Sequence, residues 1–296
     1  MSPASIYPPG AWLALILAPL GGSALGSSAP DFHRHLGLEL WSLRSEIPAH
    51  PGAGLDQVRA YGLTEVETAG TANLPADTFA GLLRERGLAA VGAHMSYERL
   101  QGDLPGVIRD ARALGVGFVV CPILPPAFRP LEEAGARKAA ATFNRWGRTL
   151  RKAGFRFAYH THGLEFTPLF GRPGLTVFDV LVRATDPEWV SFEMDVFWVY
   201  HGGQDPATLL ARYPGRWSLL HLKDFRRGAT FGPEPWKAAA EDNVPVGSGR
   251  IDWPGVLRAA QRAGVEHYFI EDETPAPREN IPLSLQYLRA LRLPMS

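Results

Sequence analysis

The sequence predicts a single (β/α)8 barrel, and two observations carry this prediction. Eight short apolar segments, each followed by helical sequence, alternate along the chain from residue 36 to its end. Strands joined through helices run parallel with right-handed crossovers, and eight of them can close into a barrel. The length of 296 residues suits one such domain, and the hydrophobic content of 46% is enough for a sizeable core. No linker divides the repeat.

The predicted strands are short apolar runs, and Gly or Pro residues interrupt the chain between them. In chain order they cover residues 36–42, 63–68, 88–94, 116–121, 155–162, 189–195, 217–224 and 265–271. Helices are expected at residues 55–61, 75–86, 131–153, 177–184, 206–213 and 253–263. Another helix is expected to end at residue 114, and the last one to begin at about residue 280. Gly87 suits a left-handed helix cap. The proline-rich stretch that follows Cys121 ends the fourth strand, because proline cannot continue a central ladder.

The N-terminus is predicted to lie outside the barrel. Residues 11–25 are apolar but are broken by Pro and Gly, which fits the core of a signal peptide better than a membrane span. Residues 1–26 are therefore interpreted as a signal peptide, 27–35 as a linker and 36–296 as the barrel. The first segment carries no Lys or Arg, so a cytoplasmic protein with a disordered tail or a misassigned start codon is the alternative to export.

Composition narrows the classes of partner. Thirty basic residues balance thirty acidic ones, which argues against nucleic acid and against a membrane surface after processing. Cys121 is the only cysteine, so an internal disulfide and a cysteine-based metal cluster are excluded. A small-molecule ligand is the expected partner, and homo-oligomerisation stays open.

Polar residues that can bind a metal or move a proton stand at most of the predicted strand ends. In a (β/α)8 barrel the chemistry collects where the strands end. The turn preferences of loops favour Gly, Asn, Asp and Ser instead, so carboxylates and imidazoles at these positions predict one shared pocket. They are Glu65, Glu67, His94, His160, His162, Glu165, Asp195, His221, Lys223, Glu271, Asp272 and Glu273.

A divalent metal site is predicted within this pocket. Asp195, His221 and Glu271 end three consecutive strands, and barrel closure brings those ends together. The fifth strand offers His160 or Glu165 as a fourth ligand. Mixed carboxylate and imidazole ligands suit Mn²⁺, Co²⁺, Mg²⁺ or Zn²⁺ without choosing among them.

Six segments together resemble the sugar phosphate isomerase/epimerase proteins of the xylose-isomerase-like barrel superfamily. They are YHTHGLEF at 159–166, EMDVFW at 193–198, GRWSLLHLKD at 215–224, GSGRIDW at 247–253, IEDE at 270–273 and SLQYLR at 284–289. The resemblance runs from residue 36 to the C-terminus in the expected order. In that family four strand residues hold one divalent metal, which by resemblance implies Asp195, His221 and Glu271. Many relatives carry Glu at the position of His160, so Glu165 competes for the fourth place.

The resemblance implies isomerisation or epimerisation of a keto- or free sugar through a metal-stabilised enediolate. Glu271, His160 and Glu165 are the candidate proton-transfer groups, and Glu67, His94, His162, Lys223 and Trp198 are the candidate substrate contacts. A lyase or dehydratase acting on keto-sugars or 3-keto-glycosides would use the same metal site. An abasic-site endonuclease and a non-catalytic sugar-binding barrel are weaker alternatives. If the protein is exported, an unphosphorylated sugar is expected.

Overall fold

The computed structural model describes residues 31–231 and 234–293. The predicted signal peptide (1–26) lies outside these residues and stays a prediction. The strands are β1 (Leu36–Glu39), β2 (Glu65–Thr68), β3 (Ala89–His94), β4 (Phe118–Cys121), β5 (Arg156–His160), β6 (Val190–Asp195), β7 (Trp217–Leu222), β8 (Asp224–Phe225), β9 (Asn243–Val244) and β10 (His267–Ile270). The helices are α1 (Pro51–Ala60), α2 (Ala76–Glu85), α3 (Tyr97–Gly102), α4 (Leu104–Leu114), α5 (Glu133–Lys152), α6 (Val177–Ala184), α7 (Val196–His201), α8 (Pro206–Arg212), α9 (Trp253–Ala263) and α10 (Pro277–Ala290).

The strands confirm the predicted barrel. Eight of them pair in parallel, and β1 contacts both β2 and β10, which closes the sheet. The antiparallel pair of β8 and β9 lies outside this barrel and was not predicted. Among the described residues, no helix is both long and apolar enough to cross a membrane.

The observed elements differ from the predicted ones mainly at their ends. The helix predicted up to residue 114 is two helices, because Asp103 ends α3 and its side chain caps the start of α4. α7 was missed because it follows β6 directly, and Asp195 caps its first turn through the backbone N–H of Trp198. Gly87 has the expected left-handed backbone, with φ of 61°.

A small apolar cluster fills the barrel interior between its two ends. Strands carry side chains alternately inward and outward, and the inward ones at mid-barrel are mostly apolar. They are Phe118, Val120, Ala158, Leu219 and Phe269, with Val91 packed against them. The much larger cluster between strands and helices forms the outer core. Polar groups on the strands are therefore confined to the two ends of the barrel.

The short segment before β1 packs against the barrel. Phe32–His35 forms a short 3-10 helix in which Phe32 is buried against Tyr268, with ring centroids 5.9 Å apart. The imidazole Nε2 of His33 lies 3.1 Å from the carbonyl oxygen of Leu288. Part of the segment interpreted as a linker thus packs on the N-terminal end of the barrel, where the strands begin.

Asp224 organises the loop that follows β7. Its buried carboxylate accepts hydrogen bonds from the backbone N–H groups of Phe225, Gly247, Gly249 and Ile251, and from the indole N–H of Trp253, at 2.8 to 3.2 Å. A Cβ at Gly249 would lie 2.2 Å from this carboxylate, so the loop requires glycine there. These contacts explain the segment GSGRIDW, whose residues fold around one side chain.

Replacing Asp224 by Ala is expected to destabilise the fold by about 3 to 5 kcal/mol, because it leaves several buried N–H donors without an acceptor. Urea unfolding of the purified chain measures this. Asp205→Ala is the control, because Asp205 only caps α8 through the N–H of Thr208, and a lost cap costs about 1 kcal/mol. Equal effects of the two substitutions would contradict the role assigned to Asp224.

Candidate metal centre

Asp195, His221 and Glu271 meet at the C-terminal end of the barrel, as predicted from the ends of their strands. One ligand atom from each lies within 4.8 Å of the others. The Nδ1 atom of His221 is 3.0 Å from Oε2 of Glu271. β7 pairs with β6 and β10 on its two sides, and the register places Asp195 opposite His221. All three side chains are buried.

Two further carboxylates lie beside the other ring nitrogen of His221. Its Nε2 atom lies 2.7 Å from Oε2 of Glu67 and 3.2 Å from Oε1 of Glu193. Metal-binding histidines usually have their second ring nitrogen held by a carboxylate in this way. Glu67 approaches closely because β3 carries Gly92 opposite it, where a Cβ would lie 2.4 Å from Oε1.

His160 has the same kind of support. Its Nδ1 atom lies 3.0 Å from Oε2 of Glu193, and its Nε2 atom lies 3.9 Å from Oδ2 of Asp195. Glu165 lies elsewhere, since its carboxylate accepts from the Tyr159 hydroxyl and from the backbone N–H of His162. Tyr159 packs against Phe143 of α5, so Glu165 faces the helix layer rather than the barrel interior.

The candidate substrate contacts fall into two groups. His94 lies deep in the site with Glu67, 3.2 Å from Nε2 to Oε2. His162, Lys223 and Trp198 lie together on the other side, where the imidazole of His162 stacks on Trp198 with centroids 4.4 Å apart. The Lys223 ammonium is 5.5 Å from the Trp198 ring.

Lys223 is a buried cation beside the candidate ligands. Its Nζ pairs with Glu273 and lies 3.5 Å from Oε2 of Glu271 and 3.8 Å from Oδ2 of Asp195. Burial disfavours the charged form of Lys223, but the neighbouring carboxylates outweigh it and raise its pKa above the ordinary value. The ammonium therefore stays charged.

Two glutamates of the site were missed from the sequence. Glu193 stands two residues before Asp195 on β6, and strand periodicity places both side chains on the inner face. Glu39 ends β1 and lies 3.7 Å from Nδ1 of His94. The strand-end rule that selected the other residues could have found Glu39, and the two-residue period of the strand could have found Glu193.

The buried ionisable side chains of the site have pKa values shifted in different directions. Burial raises the pKa of Glu39 to about 8 and that of Asp195 to about 7. Glu193 is buried too, but His221 and the other imidazoles hold its pKa well below the ordinary value. Burial lowers the pKa of His162 well below its ordinary value, so this imidazole is neutral at pH 7.

The side chains fit a divalent ion. Within the described part of the chain, Oδ2 of Asp195 is buried with no hydrogen-bond partner, and such an atom is normally satisfied. Lys223 and His160 approach this oxygen only to 3.8 and 3.9 Å. The carboxylate and imidazole donors of Asp195, His221 and Glu271 are ordinary ligands of divalent metals. The candidate metal site is thus supported by a ligand atom without a hydrogen bond as well as by proximity.

Comparison with known proteins agrees with this architecture. The family model of the xylose isomerase-like TIM barrel matches residues 55–291. The chain belongs to this family. The predicted resemblance to the xylose-isomerase-like barrel proteins is therefore confirmed, and the match places the chain in an enzyme superfamily.

Individual proteins similar to this chain have names of two kinds, isomerase/epimerase and dehydratase. The structure of a sugar phosphate isomerase/epimerase from Parabacteroides distasonis is 26% identical, with a TM-score of 0.70 over 89% of this chain and 96% of that one. An inosose dehydratase of Lacticaseibacillus casei is 27% identical over 155 residues, which are 49% of this chain and 49% of that protein. The match thus spans about half the length of this curated relative. An IolI protein with a bound zinc atom, 14% identical with a TM-score of 0.64 over 86% of this chain and 95% of that one, shares the fold.

Proposed function

We propose that this protein is a divalent-metal-dependent sugar isomerase or epimerase that removes a proton next to the carbonyl group of a keto- or free sugar. The observation that carries the proposal is the convergence of Asp195, His221 and Glu271, together with the buried Oδ2 of Asp195 that makes no hydrogen bond. His160 is the proposed fourth ligand. A bound divalent ion would supply Lewis-acid polarisation of the substrate carbonyl and its neighbouring hydroxyl.

The protein's own groups would handle the protons. Glu271 stands at the edge of the group with a carboxylate kept ionised, because Lys223 and His221 outweigh burial and hold its pKa well below the ordinary value. His162 is a neutral imidazole that can accept a proton, and Lys223 is an ammonium that can donate one. Trp198, stacked on His162, would shield the site from water on this side.

The substrate would extend toward the exposed Trp41. A cavity of about 170 Å³ lies at the ends of β1 and β2, between Trp41, Arg44 and Ala69. The indole N–H of Trp41 donates to Glu273 at 3.0 Å, which connects this cavity to the partner of Lys223. A ring of this kind can stack on the apolar face of a sugar.

A dehydratase is the second candidate, and the position of Lys223 favours it. β-Elimination removes a proton next to the carbonyl, breaks a C–O bond and releases water, so the leaving hydroxyl needs a proton donor. A buried ammonium beside Glu271 suits that role. The inosose dehydratase relative supports the same reading.

Incubation in deuterated water tests the proposal. The metal-loaded protein is mixed with inosose and with a panel of free ketoses and aldoses, and the products are followed by NMR and by ultraviolet absorbance. Deuterium incorporation with a new sugar isomer supports the isomerase or epimerase. Loss of water with an enone or dione absorbance supports the dehydratase instead. Absence of exchange across the panel, with metal bound, would contradict both.

Glu67 is expected to position His221 rather than to contact substrate. Replacing Glu67 by Gln should weaken metal binding by about 10- to 100-fold, because the ring nitrogen behind His221 loses its carboxylate. Titration with a metal indicator measures the change. Asp179→Asn is the control, since Asp179 is also buried but its carboxylate caps α6 by accepting the backbone N–H of Thr176. A Glu67→Gln variant that binds metal like the unmodified chain would refute this assignment.

The choice between His160 and Glu165 can be tested by a pair of variants. We expect His160→Gln to weaken metal binding by at least about tenfold, because one ligand of the ion is lost. Glu165→Gln should keep the affinity, since Glu165 faces Tyr159. Metal content after dialysis distinguishes the two, and the reverse order of effects would make Glu165 the ligand.

A further inference from the structure

We propose that the lower, N-terminal end of the barrel holds a second divalent metal site, formed by His35, Glu65 and His267 and suited to Zn²⁺. Glu65 and His267 are the first residues of β2 and β10, and His35 directly precedes β1. β1 lies between β2 and β10 in the closed sheet, so these three residues are neighbours at one mouth of the barrel. Glu65 was predicted from the sequence to join the upper pocket, and the structure corrects this: it begins β2 instead of ending it.

The ligand atoms have the spacing that a small ion requires. Nδ1 of His267 lies 2.7 Å from Oε2 of Glu65, and Nδ1 of His35 lies 3.1 Å from Oε1 of the same carboxylate. One ligand atom from each residue lies within 4.8 Å of the others. Ligands about 2.0 to 2.2 Å from a tetrahedral zinc are about 3.3 Å apart, so an ion would enter with small side-chain adjustments.

The lower group, formed by His35, Glu65 and His267, shares no residue with the upper candidate site of Asp195, His221 and Glu271. Phe269 lies between them, with its ring centroid 6.4 Å from that of His267 and 6.3 Å from that of His221. Phe118 and Leu219 belong to the same apolar layer. An ion bound below would therefore neither share ligands with the upper site nor require its presence.

The side chains of the lower group are more exposed to solvent than those of the upper candidate site. The side chains of His35, Glu65 and His267 are 38%, 16% and 20% exposed, so an ion can enter from solvent and water can complete its coordination. Arg156, which lies over the neighbouring Phe118 ring, is paired with Glu266 at 2.7 Å. Two imidazoles and one carboxylate suit Zn²⁺, Co²⁺ or Ni²⁺, whereas Mg²⁺ and Ca²⁺ prefer oxygen ligands.

A bound ion would fasten the start of the barrel to its closing strand. His35 belongs to the 3-10 helix Phe32–His35, and the ion would link this helix to both β2 and β10. Since an ion that binds only the folded state stabilises it, zinc should raise the melting temperature of a protein that lacks the upper site. This effect separates a metal site from a purely ionic contact between imidazoles and a carboxylate.

The experiment uses the full chain carrying Asp195→Asn and His221→Asn, named here the upper-site variant. Zinc binding is measured by calorimetry, and cobalt binding by its visible absorption. We expect about one zinc per chain, a cobalt spectrum with imidazole ligation, and a rise in melting temperature of about 5 °C at saturating zinc. Adding Glu65→Gln or His267→Gln should weaken zinc binding at least about tenfold.

His50→Gln in the same background is the matched control, because His50 is an exposed histidine whose side chain makes no capping hydrogen bond. Zinc binding that survives both Glu65→Gln and His267→Gln, or an upper-site variant that binds no zinc up to about 100 μM while remaining folded by circular dichroism, would overturn the proposal. Two different ligand substitutions are tested, so that the result does not depend on one variant that fails to fold. The upper-site variant keeps His94, His160 and Glu193, which can still attract an ion, so the zinc assigned to the lower site is the zinc that Glu65→Gln and His267→Gln remove. Neither outcome depends on the reaction proposed for the upper site.

Discussion

The upper-site variant, with Asp195→Asn and His221→Asn, is expected to lose the upper metal ion and at least about three orders of magnitude of sugar proton exchange. The asparagine at 195 can still accept the N–H of Trp198 that caps α7, a bond of 3.1 Å in the unmodified protein. What it removes is the carboxylate, whose Oδ2 makes no hydrogen bond and is the proposed ligand atom. The substitution therefore tests metal binding while sparing the local fold.

Metal content after dialysis and exchange of substrate protons in deuterated water are the two measurements. The variant should retain about one ion fewer per chain than the unmodified protein. Glu165→Gln is the control, because Glu165 is a buried carboxylate that accepts from the Tyr159 hydroxyl. If the upper-site variant kept both the ion and the exchange rate, the proposed centre would be wrong.

Lys223→Met is expected to lower kcat by about 10²- to 10⁴-fold while the ion stays bound, because a positioned proton donor contributes an effect of this size. Methionine keeps the length of the side chain and its contacts with Phe197 and Trp198, whose rings lie 5.4 and 5.5 Å from Nζ. KM should change much less than kcat if the ammonium acts on the reacting atoms.

Glu273→Gln is the matched control for Lys223→Met, since it removes the partner of the ammonium and keeps the ammonium itself. Glu273 is 28% exposed at its side chain, so its loss should cost far less activity. Comparable losses in both variants would indicate that Lys223 acts through Glu273. An Lys223→Met protein with nearly full activity would exclude the ammonium as the proton donor.

Much of the upper site could be predicted from the sequence because strand ends converge in any (β/α)8 barrel. Asp195, His221 and Glu271 follow apolar runs that can only be buried strands, and closure of the sheet brings them together. Glu193 was missed, because an acidic residue inside an apolar run does not mark the end of a strand. The role of Asp224 could not be predicted, because four of its five donors lie in a loop more than twenty residues away.

The sequence alone determined the barrel and the position of Asp195, His221 and Glu271 at its upper mouth, because the alternation of apolar runs and helices and the side-chain period along a strand are local properties. Only the tertiary structure decided where Glu65 and Glu165 lie. One begins a strand at the lower mouth beside His35 and His267, and the other turns outward to Tyr159. A shift of a few residues in a strand boundary moves a side chain from one mouth of the barrel to the other, and the pairing of neighbouring strands fixes that boundary.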